Sequence, residues 1–266
     1  MNSRTKNLKF KQTSVSKEIA GKLFFFEGYS EKNVEDGVDS FKHFLKKYKK
    51  LYRILKVMIS PVCFDNSLGR FINKEIGNQE GCFINLGSGN ERIHEKVVNF
   101  DIFGYDEVDI ICDICSLPIE DNSVDVVFNL SVLEHVPFPQ KVVSEIWRVL
   151  KPGGLVFSDV PFVMGFHASP YDYSRWTAVG IKKLYAKYDI LDFKVNGGPT
   201  SAFLWIFQEW FAMLLSFGIK ALYLLLHIFI MCLTFPIKFI DIILRYHPMA
   251  ENIAASYILI GRKTYE

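Results

Sequence analysis

Short apolar segments recur at regular intervals between residues 81 and 160, and this alternation restricts the fold more than any other feature of the chain. The segments are residues 82–86, 97–100, 108–112, 124–130 and 154–160. A helical segment at 139–150 begins with proline and ends at a Lys-Pro-Gly-Gly sequence just before the last of them. Strands that alternate with helices predict a parallel sheet covered by helices on both faces. We expect a doubly wound α/β fold, completed by a helix at 177–188 and by strands at 190–195 and 254–261.

The first apolar segment leads directly into a turn that contains two glycines. Residues 85–90 read Asn-Leu-Gly-Ser-Gly-Asn. Glycine lets the backbone approach a ligand closely at the carboxyl ends of parallel strands, where doubly wound folds bind nucleotides. A dinucleotide fingerprint would need a third glycine where Arg92 stands, which disfavours a nicotinamide cofactor. From these residues alone, a nucleotide-type ligand and a simple tight turn are both open.

Acidic residues stand at the ends of the next two apolar segments. Asp101 closes the second segment, and Asp113 follows the third. A carboxylate at the tip of the second strand can accept hydrogen bonds from both hydroxyls of a ribose, and one at the tip of the third strand can accept from an adenine amino group. Either acid alone could instead cap a helix. Ligand-type residues at three successive strand tips favour a nucleoside site.

Three further segments carry a family resemblance. Residues 117–125 read Leu-Pro-Ile-Glu-Asp-Asn-Ser-Val-Asp, residues 132–136 read Val-Leu-Glu-His-Val, and residues 148–154 read Arg-Val-Leu-Lys-Pro-Gly-Gly. In their order and spacing the sequence resembles the class I S-adenosylmethionine-dependent methyltransferases, over residues 81–195 and the last strand. The resemblance implies a predominantly parallel, Rossmann-like sheet with an antiparallel last strand, and S-adenosyl-L-methionine as cofactor. The cofactor-binding residues that it implies are Leu86, Gly87, Ser88, Gly89, Asp101, Ile102, Asp113, Ile114, Asn129, Leu130 and Ser131.

Two residues of the glycine turn depart from the family pattern. Asn85 stands where the family usually has Asp or Glu, and Glu91 stands where it usually has a third glycine. The departures imply altered recognition of the methionine part of the cofactor. A catalytically silent scaffold with the same fold is therefore an alternative from another class of function.

Methylation of an alcohol requires a base near the methyl group. His135 follows the fourth strand, and the loop at 161–176 after the fifth strand contributes His167 and Asp172. We predict that these three residues are catalytic. The same loop has the polar composition of a substrate pocket, and its predicted substrate-binding residues are Tyr171, Tyr173, Arg175 and Trp176. The alternatives are a structural role for His135 and a loop held together by its own Tyr and Arg side chains.

Metal and nucleic-acid sites are not expected from the sequence. Cys112 and Cys115 have the spacing of half a zinc site, but no second cysteine pair follows. Near the predicted cofactor cleft, no basic segment is interleaved with aromatic residues, which argues against a nucleic-acid partner.

Two segments outside the predicted core favour a membrane surface. Residues 1–60 hold 14 Lys or Arg against six Asp or Glu, and residues 40–64 combine a basic face with aromatic and aliphatic residues at helical spacing. Such a helix suits an anionic membrane, although it could also pack on its own domain. Residues 203–244 hold only four charged residues. We expect a helical hairpin lying in one leaflet, because two crossings would need more chain; the alternatives are an oligomer interface and a cap over the domain.

The chain is thus expected to have four parts: a basic helical extension (1–80), a cofactor-binding core (81–200), an apolar helical insertion (201–247), and the last core strand with the tail (248–266). Its five cysteines, and an N-terminus without an apolar signal region, favour the reducing cytoplasm. We expect a peripheral or monotopic protein at the cytoplasmic face of the membrane. It would O-methylate a lipid-linked sugar or another lipid-anchored or small-molecule acceptor. A methyltransferase for an isoprenoid quinone or fatty acyl substrate is the alternative, and a homo-oligomer is left open.

Overall fold

The structure is a computed structural model that describes residues 3–11, 17–19, 21–25, 60–63 and 65–265. The chain divides into two compact units. The first comprises Met1–Glu27, Asp65–Asn196 and Ser256–Glu266, and the second comprises Gly28–Phe64 and Gly197–Ala255. The predicted basic helix at 40–64 lies outside the described residues, except for residues 60–63.

The first unit is built on one sheet that has nine strands among the described residues. They are β1 (Lys17–Ile19), β2 (Lys22–Phe24), β3 (Phe83–Leu86), β4 (Val97–Asp101), β5 (Ile110–Ile111), β6 (Val124–Leu130), β7 (Leu150–Pro161), β8 (Asp189–Val195) and β9 (Ser256–Arg262). Their order across the sheet is β1-β2-β5-β4-β3-β6-β7-β9-β8. The strands from β2 to β7 pair in parallel, and β9 lies antiparallel between β7 and β8. The predicted α/β sheet with an antiparallel last strand is confirmed.

The helices of this unit are α1 (Ser67–Glu75), α2 (Pro139–Val149) and α3 (Ala178–Leu184), with short 3-10 helices at Ser3–Asn7 and Leu133–His135. The apolar side of α1 packs on the sheet: the ring centroid of Phe71 lies 5.8 Å from that of Phe128 and 5.0 Å from that of Phe157. Helix α2 has proline in its first turn and passes directly into β7. Both helices bury their apolar side chains against the strands that carry the predicted site.

Part of the predicted N-terminal extension belongs to the sheet. β1 and β2 form an antiparallel pair, and β2 continues the sheet beside the two-residue strand β5. The Leu23 amide donates to the Asp109 carbonyl at 3.1 Å. The added strands cover an edge that would otherwise expose unpaired backbone groups. Sequence periodicity gave no sign of strands only three residues long.

The second unit contains the apolar insertion. Its helices are α4 (Pro199–Ser216), α5 (Lys220–Thr234) and α6 (Asp241–Leu244), with 3-10 helices at Phe235–Ile240 and Ala250–Ile253. Between α4 and α5, Phe217 and Gly218 have φ values of +49° and +77°, which reverse the chain. The predicted helical hairpin is thus confirmed as a shape, and its location in a membrane stays a prediction. The amides of Thr200 and Ser201, at the start of α4, donate to the buried carboxylate of Asp241 at 2.8 and 2.7 Å.

Candidate active site

The turn after β3 holds two glycines in left-handed conformations at the carboxyl edge of the sheet. Gly87 has a φ of +62° and Gly89 a φ of +54°, a region that favours glycine. A Cβ atom on Gly87 would lie 2.6 Å from two methyl groups of Val132, so the segment after β6 needs this glycine for packing. A Cβ atom on Gly89 would meet no described atom within 4 Å. Space for a ligand therefore lies over Gly89 and not over Gly87.

Asp101 is fixed beside this turn by two backbone hydrogen bonds. Its Oδ2 accepts from the Gly89 amide at 2.8 Å, and its Oδ1 accepts from the Phe103 amide at 2.9 Å. Burial raises the pKa of this carboxyl, and the bonds to Phe103 and Gly89 partly oppose that rise. Ile102, the next residue, is exposed. The fixed carboxylate of Asp101 could bind a ribose, and the adjacent exposed side chain of Ile102 could contact the attached base.

Asp113 follows β5, the neighbour of β4, so the two predicted acids lie at adjacent strand ends. Asp113 is exposed, and its Oδ1 accepts from the Cys115 amide at 2.8 Å. The side chain of Ile114 is almost fully buried. Asp113 thus caps its own turn, and a contact with adenine remains a prediction for this residue.

Two predicted cofactor-binding side chains lie in the core instead. Leu86 and Asn129 are both fully buried, and the Asn129 amide donates to the hydroxyl of Tyr185 at 3.3 Å. β3 and β6 are neighbours at the centre of the sheet, so these side chains are covered by other elements. The side chains of Leu86 and Asn129 are therefore part of the core, and their role in cofactor binding stays a prediction. Beyond β6, Leu130 is half-buried and Ser131 is exposed at the strand end.

The two departures from the family pattern are linked through one residue. The Nδ2 of Asn85 lies 3.4 Å from the Oδ1 of Asn99, and the Nδ2 of Asn99 donates to the Glu91 carbonyl at 3.0 Å. The Oδ1 of Asn85 is buried and has no hydrogen-bond partner among the described residues. Within the turn, the Ser88 amide donates to the Phe100 carbonyl at 3.0 Å. The unusual residues thus join the turn to β4 by neutral amide groups.

His135 and His167 are distant in sequence but meet at one carboxylate. The Nε2 atom of each lies 3.6 Å from the Oε1 of Glu134, whose side chain is fully buried. The two imidazole rings meet edge to face with centroids 5.2 Å apart. Sequence reasoning singled out both histidines and missed Glu134. An acid inside an apolar Val-Leu-x-His-Val segment was the available signal.

The loop after β7 is anchored to this cluster by its backbone. The Tyr173 amide donates to the Glu134 carbonyl at 2.7 Å, and the Nδ1 of His135 donates to the Tyr171 carbonyl at 2.6 Å. Asp172 accepts from Arg175 and from the His167 amide, and the hydrogen bond from Arg175 is the main reason that the pKa of its carboxyl is lowered to about 2. Asp172 is thus held by hydrogen bonds within its own loop, and its catalytic role stays a prediction.

The four predicted substrate-binding residues do not form one group. Tyr171 and Tyr173 are exposed, with ring centroids 5.6 Å apart. Arg175 is occupied by Asp172 and by backbone carbonyls of its own loop. Trp176 lines a separate cavity of about 530 Å³ together with residues of α2 and α3. Only the two tyrosines present open surface beside the histidine cluster.

Residues 87–158 match a family model described as a methyltransferase domain. The chain carries a class I S-adenosylmethionine-dependent methyltransferase domain. The matched segment contains the glycine turn, Asp101 and the Glu134–His135 pair. His167 and the rest of its loop lie beyond the match.

Relatives match only short parts of the chain. A Mycolicibacterium smegmatis protein, named for S-adenosylmethionine-dependent methyltransferase activity, is 45% identical over 49 residues, 18% of this chain and 19% of that protein. The demethylmenaquinone methyltransferase of Bacillus pumilus is 34% identical over 88 residues, 32% of this chain and 38% of that enzyme. The chain thus spans less than two fifths of the length of either relative. Phosphoethanolamine N-methyltransferase 2 of Haemonchus contortus, solved with S-adenosylmethionine, is similar with a TM-score of 0.46 and 18% identity over 88% of this chain and 61% of that one.

Proposed function

We propose that the chain transfers a methyl group from S-adenosylmethionine to an oxygen of a lipid-linked acceptor, a sugar in the first instance, at the cytoplasmic membrane face. The observation that carries the methyl-transfer part is the pairing of Gly89 with Asp101. The amide of an open, left-handed glycine is held 2.8 Å from a buried carboxylate at the ends of adjacent parallel strands. This is the place where doubly wound folds bind nucleosides.

The residues present fit the cofactor. The space over Gly89 would be filled by a Cβ atom on any other residue, and the Asp101 oxygens keep lone pairs for ribose hydroxyls beyond the two backbone bonds. Exposed Ile102 offers an apolar surface for the base. When bound, the cofactor supplies the electrophilic methyl group. The chain's own residues then have to position the acceptor in line with it and exclude water.

An oxygen acceptor must also lose its proton. Glu134, His135 and His167 bring basic atoms together at one point on the same edge of the sheet, since Val132 packs on Gly87 only two residues before Glu134. The exposed rings of Tyr171 and Tyr173 lie on the loop that is tied to this cluster. Two exposed tyrosine rings beside basic groups suit a sugar acceptor. The aromatic faces can pack on the apolar faces of the sugar ring, and the basic groups lie near its hydroxyls.

The second unit supports the membrane part of the proposal. Among the described residues, Lys220–Leu244 is the helical segment long and apolar enough to cross a membrane, with a mean hydropathy of 2.0 and 17% of its most apolar stretch buried. The exposed apolar residues of α4 and α5 are Phe203, Ile206, Trp210, Met213, Leu214, Leu215, Leu224, Leu225, Ile228, Phe229 and Leu233. An apolar surface of this extent marks an interaction site.

The packing between α4 and α5 is of the kind used within lipid. The buried residues of α4 include Ala212, Ser216 and Gln208, and the Gln208 side chain donates to the Thr234 hydroxyl of α5 at 2.8 Å. Small residues and interhelical hydrogen bonds are typical of helices that associate in a bilayer.

A single crossing conflicts with the topology of the sheet. β8 ends at Val195, β9 begins at Ser256, and these ends are hydrogen-bonded neighbours. The chain leaves and rejoins the sheet at the same edge, so it crosses a membrane zero or two times. We therefore propose a hairpin that lies within one leaflet.

The name of the Bacillus pumilus relative favours the second candidate, a quinone acceptor. The two candidates place different demands on the acceptor side: a quinone ring needs an apolar slot, whereas a sugar needs polar contacts. The histidine cluster and the two tyrosines favour the sugar.

Two measurements test the proposal. Calorimetric titration of the full-length protein with S-adenosylmethionine should give saturable heat, and Asp101→Ala should remove most of it, with Asp192→Ala as a matched surface control. Absence of heat in the wild-type protein would leave only the scaffold alternative. Membrane extracts incubated with methyl-labelled cofactor should then yield a labelled lipid. Release of the label in a water-soluble fragment by mild acid supports a lipid-linked sugar, and retention in an apolar ring compound supports a quinone.

A further inference from the structure

Three potential ligand atoms converge at the acceptor side of the domain. They are the Oε1 of Glu134 and the Nε2 atoms of His135 and His167, with each Nε2 3.6 Å from the carboxylate oxygen. One atom from each of these residues can be chosen so that all lie within 4.8 Å of one another. The three residues come from the segment after β6 and the loop after β7. Only the folded sheet brings them together.

The hydrogen bonds of the two imidazoles orient the Nε2 atoms. Nδ1 of His135 lies 2.6 Å from the Tyr171 carbonyl and Nδ1 of His167 lies 2.9 Å from the Gly165 carbonyl. A carbonyl only accepts, so each Nδ1 carries the hydrogen. Histidines that bind metals usually donate their second ring nitrogen in this way, which fixes the tautomer and the ring orientation.

One neighbouring donor could reverse this assignment for His167. Nη2 of Arg175 lies 3.2 Å from its Nδ1. That nitrogen has two hydrogens, and two oxygens accept them: the Asp172 Oδ2 at 2.7 Å and the Gly165 carbonyl at 3.1 Å. His167 therefore does not need to accept from Arg175, and its Nε2 faces the Glu134 carboxylate at 3.6 Å.

The carboxylate of Glu134 is the second, independent observation. Its side chain has no exposed surface, and neither carboxylate oxygen has a hydrogen-bond partner within the described part of the chain. The two imidazole Nε2 atoms lie 3.6 Å from Oε1, beyond hydrogen-bond distance, and burial of an incompletely paired charge is unfavourable. A cation between Glu134 and the two imidazoles would satisfy it.

The spacing and composition match a transition-metal site. Ligands about 2.0–2.1 Å from a tetrahedral metal lie about 3.3 Å from one another. The two histidine–carboxylate distances of 3.6 Å are close to this value, and because the three ligand atoms lie within 4.8 Å of one another, binding would draw them together by at most about 1.5 Å. Two imidazoles and one carboxylate are the protein ligands of a common class of catalytic zinc site, in which a further position is open. Magnesium and calcium prefer oxygen ligands.

We propose that Glu134, His135 and His167 bind one divalent transition-metal ion, with Zn²⁺ as the best match, and leave a coordination position open toward the acceptor. The site lies two residues beyond Val132, whose methyl groups contact the glycine turn of the cofactor site. An acceptor hydroxyl bound at the open position would lose its proton more readily, because a metal lowers the pKa of a bound oxygen. This role rests on the proposed methyl transfer, whereas binding of the metal does not.

The test uses the full-length protein, stripped with a chelator and titrated with Co²⁺ and with Zn²⁺. We expect one ion per chain and the visible absorption bands of Co²⁺ with nitrogen and oxygen ligands. His135→Gln and His167→Gln should each weaken binding by at least about 100-fold, more than a loss of an outer contact would. His247→Gln, an exposed histidine of the second unit, is the matched control and should bind like wild type.

Two further measurements distinguish loss of the metal site from misfolding of a variant and from failure of the proposed methyl transfer. X-ray absorption of the zinc-loaded wild-type protein should report two imidazoles in the coordination shell, and this readout needs no variant. Sulfur ligands, or stoichiometric binding that both histidine variants retain, would overturn the site. No binding at all would mean that the cluster is only a buried ion pair. The Asp101→Ala variant should still bind the metal but should bind the cofactor much more weakly. If the wild-type protein binds the metal but not the cofactor, the proposed function is rejected and the metal site is retained.

Discussion

The two units of the chain differ most in the side chains that they expose. In the sheet unit the central strands β3, β4 and β5 are fully buried, and polar groups such as Asp101 stand at the strand ends in fixed hydrogen bonds. In the second unit, large apolar side chains are exposed on α4 and α5, while Gln208, Thr234 and Asp241 are buried. Under the proposed function, the first unit holds the polar ligand and the second unit contacts apolar surroundings.

The strongest test of this contrast places charge on the apolar surface of α5. Leu225 and Phe229 are 66% and 57% exposed and lie one turn apart. The double change Leu225→Glu and Phe229→Glu should weaken binding to anionic phospholipid vesicles by about 3–6 kcal/mol, because two apolar side chains no longer enter the interface. Flotation of the full-length protein with vesicles measures the partition.

The control is Val179→Glu on α3, an apolar residue of the sheet unit that is 76% exposed. It should float like wild type, also in high salt, since burial is not screened by ions. If the double variant floats equally well, or the wild type is a monodisperse oligomer that ignores vesicles, the apolar surface is a subunit interface.

The polar interior of the second unit can be tested through Asp241. Its carboxylate accepts from the Thr200 and Ser201 amides and from the Ser201 hydroxyl at 2.6 Å. Asp241→Ala leaves three buried donors without an acceptor and should lower the free energy of unfolding by about 3–4 kcal/mol. Denaturant unfolding in detergent gives the value, and Asp189→Ala at the exposed start of β8 serves as the control. A change below about 1 kcal/mol would mean that the helix start is held by other contacts.

For the sheet unit, the matching test is Asp101→Ala. The ribose hydroxyls lose charge-assisted hydrogen bonds, so affinity for S-adenosylmethionine should fall by about 1.5–3 kcal/mol. Asp113→Ala should have a smaller effect, because Asp113 is exposed and caps its own turn. Calorimetry on both variants measures the difference. Equal losses would show that the two acids contribute alike, and unchanged affinity in Asp101→Ala would place the cofactor elsewhere.

The smallest expected effect is the pH dependence of cofactor binding. Burial raises the pKa of Asp101 above the usual 3.8 of an aspartate. Ribose hydroxyls donate to the charged form, so cofactor binding releases a proton from this carboxyl and affinity falls as the pH is lowered through its pKa, by at most about tenfold per pH unit. The fall should begin at a higher pH than for an exposed carboxylate. In Asp101→Asn this slope should disappear; its persistence would assign the proton to another group.

The sequence predicted the sheet better than the site. Long apolar strands such as β6 and the proline at the start of α2 act locally, and their positions were predicted within a few residues. β1 and β2 were missed because strands of three residues are stabilised by pairing with the sheet edge and not by their own pattern. Similarly, Asn129 is predicted to bind the ligand because polar residues at strand ends often line ligand sites. Only the packing shows that its side chain is buried and hydrogen-bonded to Tyr185.

By itself the sequence determined the order of the strands and helices from β3 onward, the glycine turn, the acids at the strand ends and the apolar insertion, because each depends on residues close together in the chain. The tertiary structure decided which glycine faces open space, which histidines meet, and that Glu134 lies buried between them. It also decided that Asp172 is bound to Arg175 and that Trp176 lines another cavity. These facts depend on contacts between distant segments, whose distances and burial no local pattern of residues encodes.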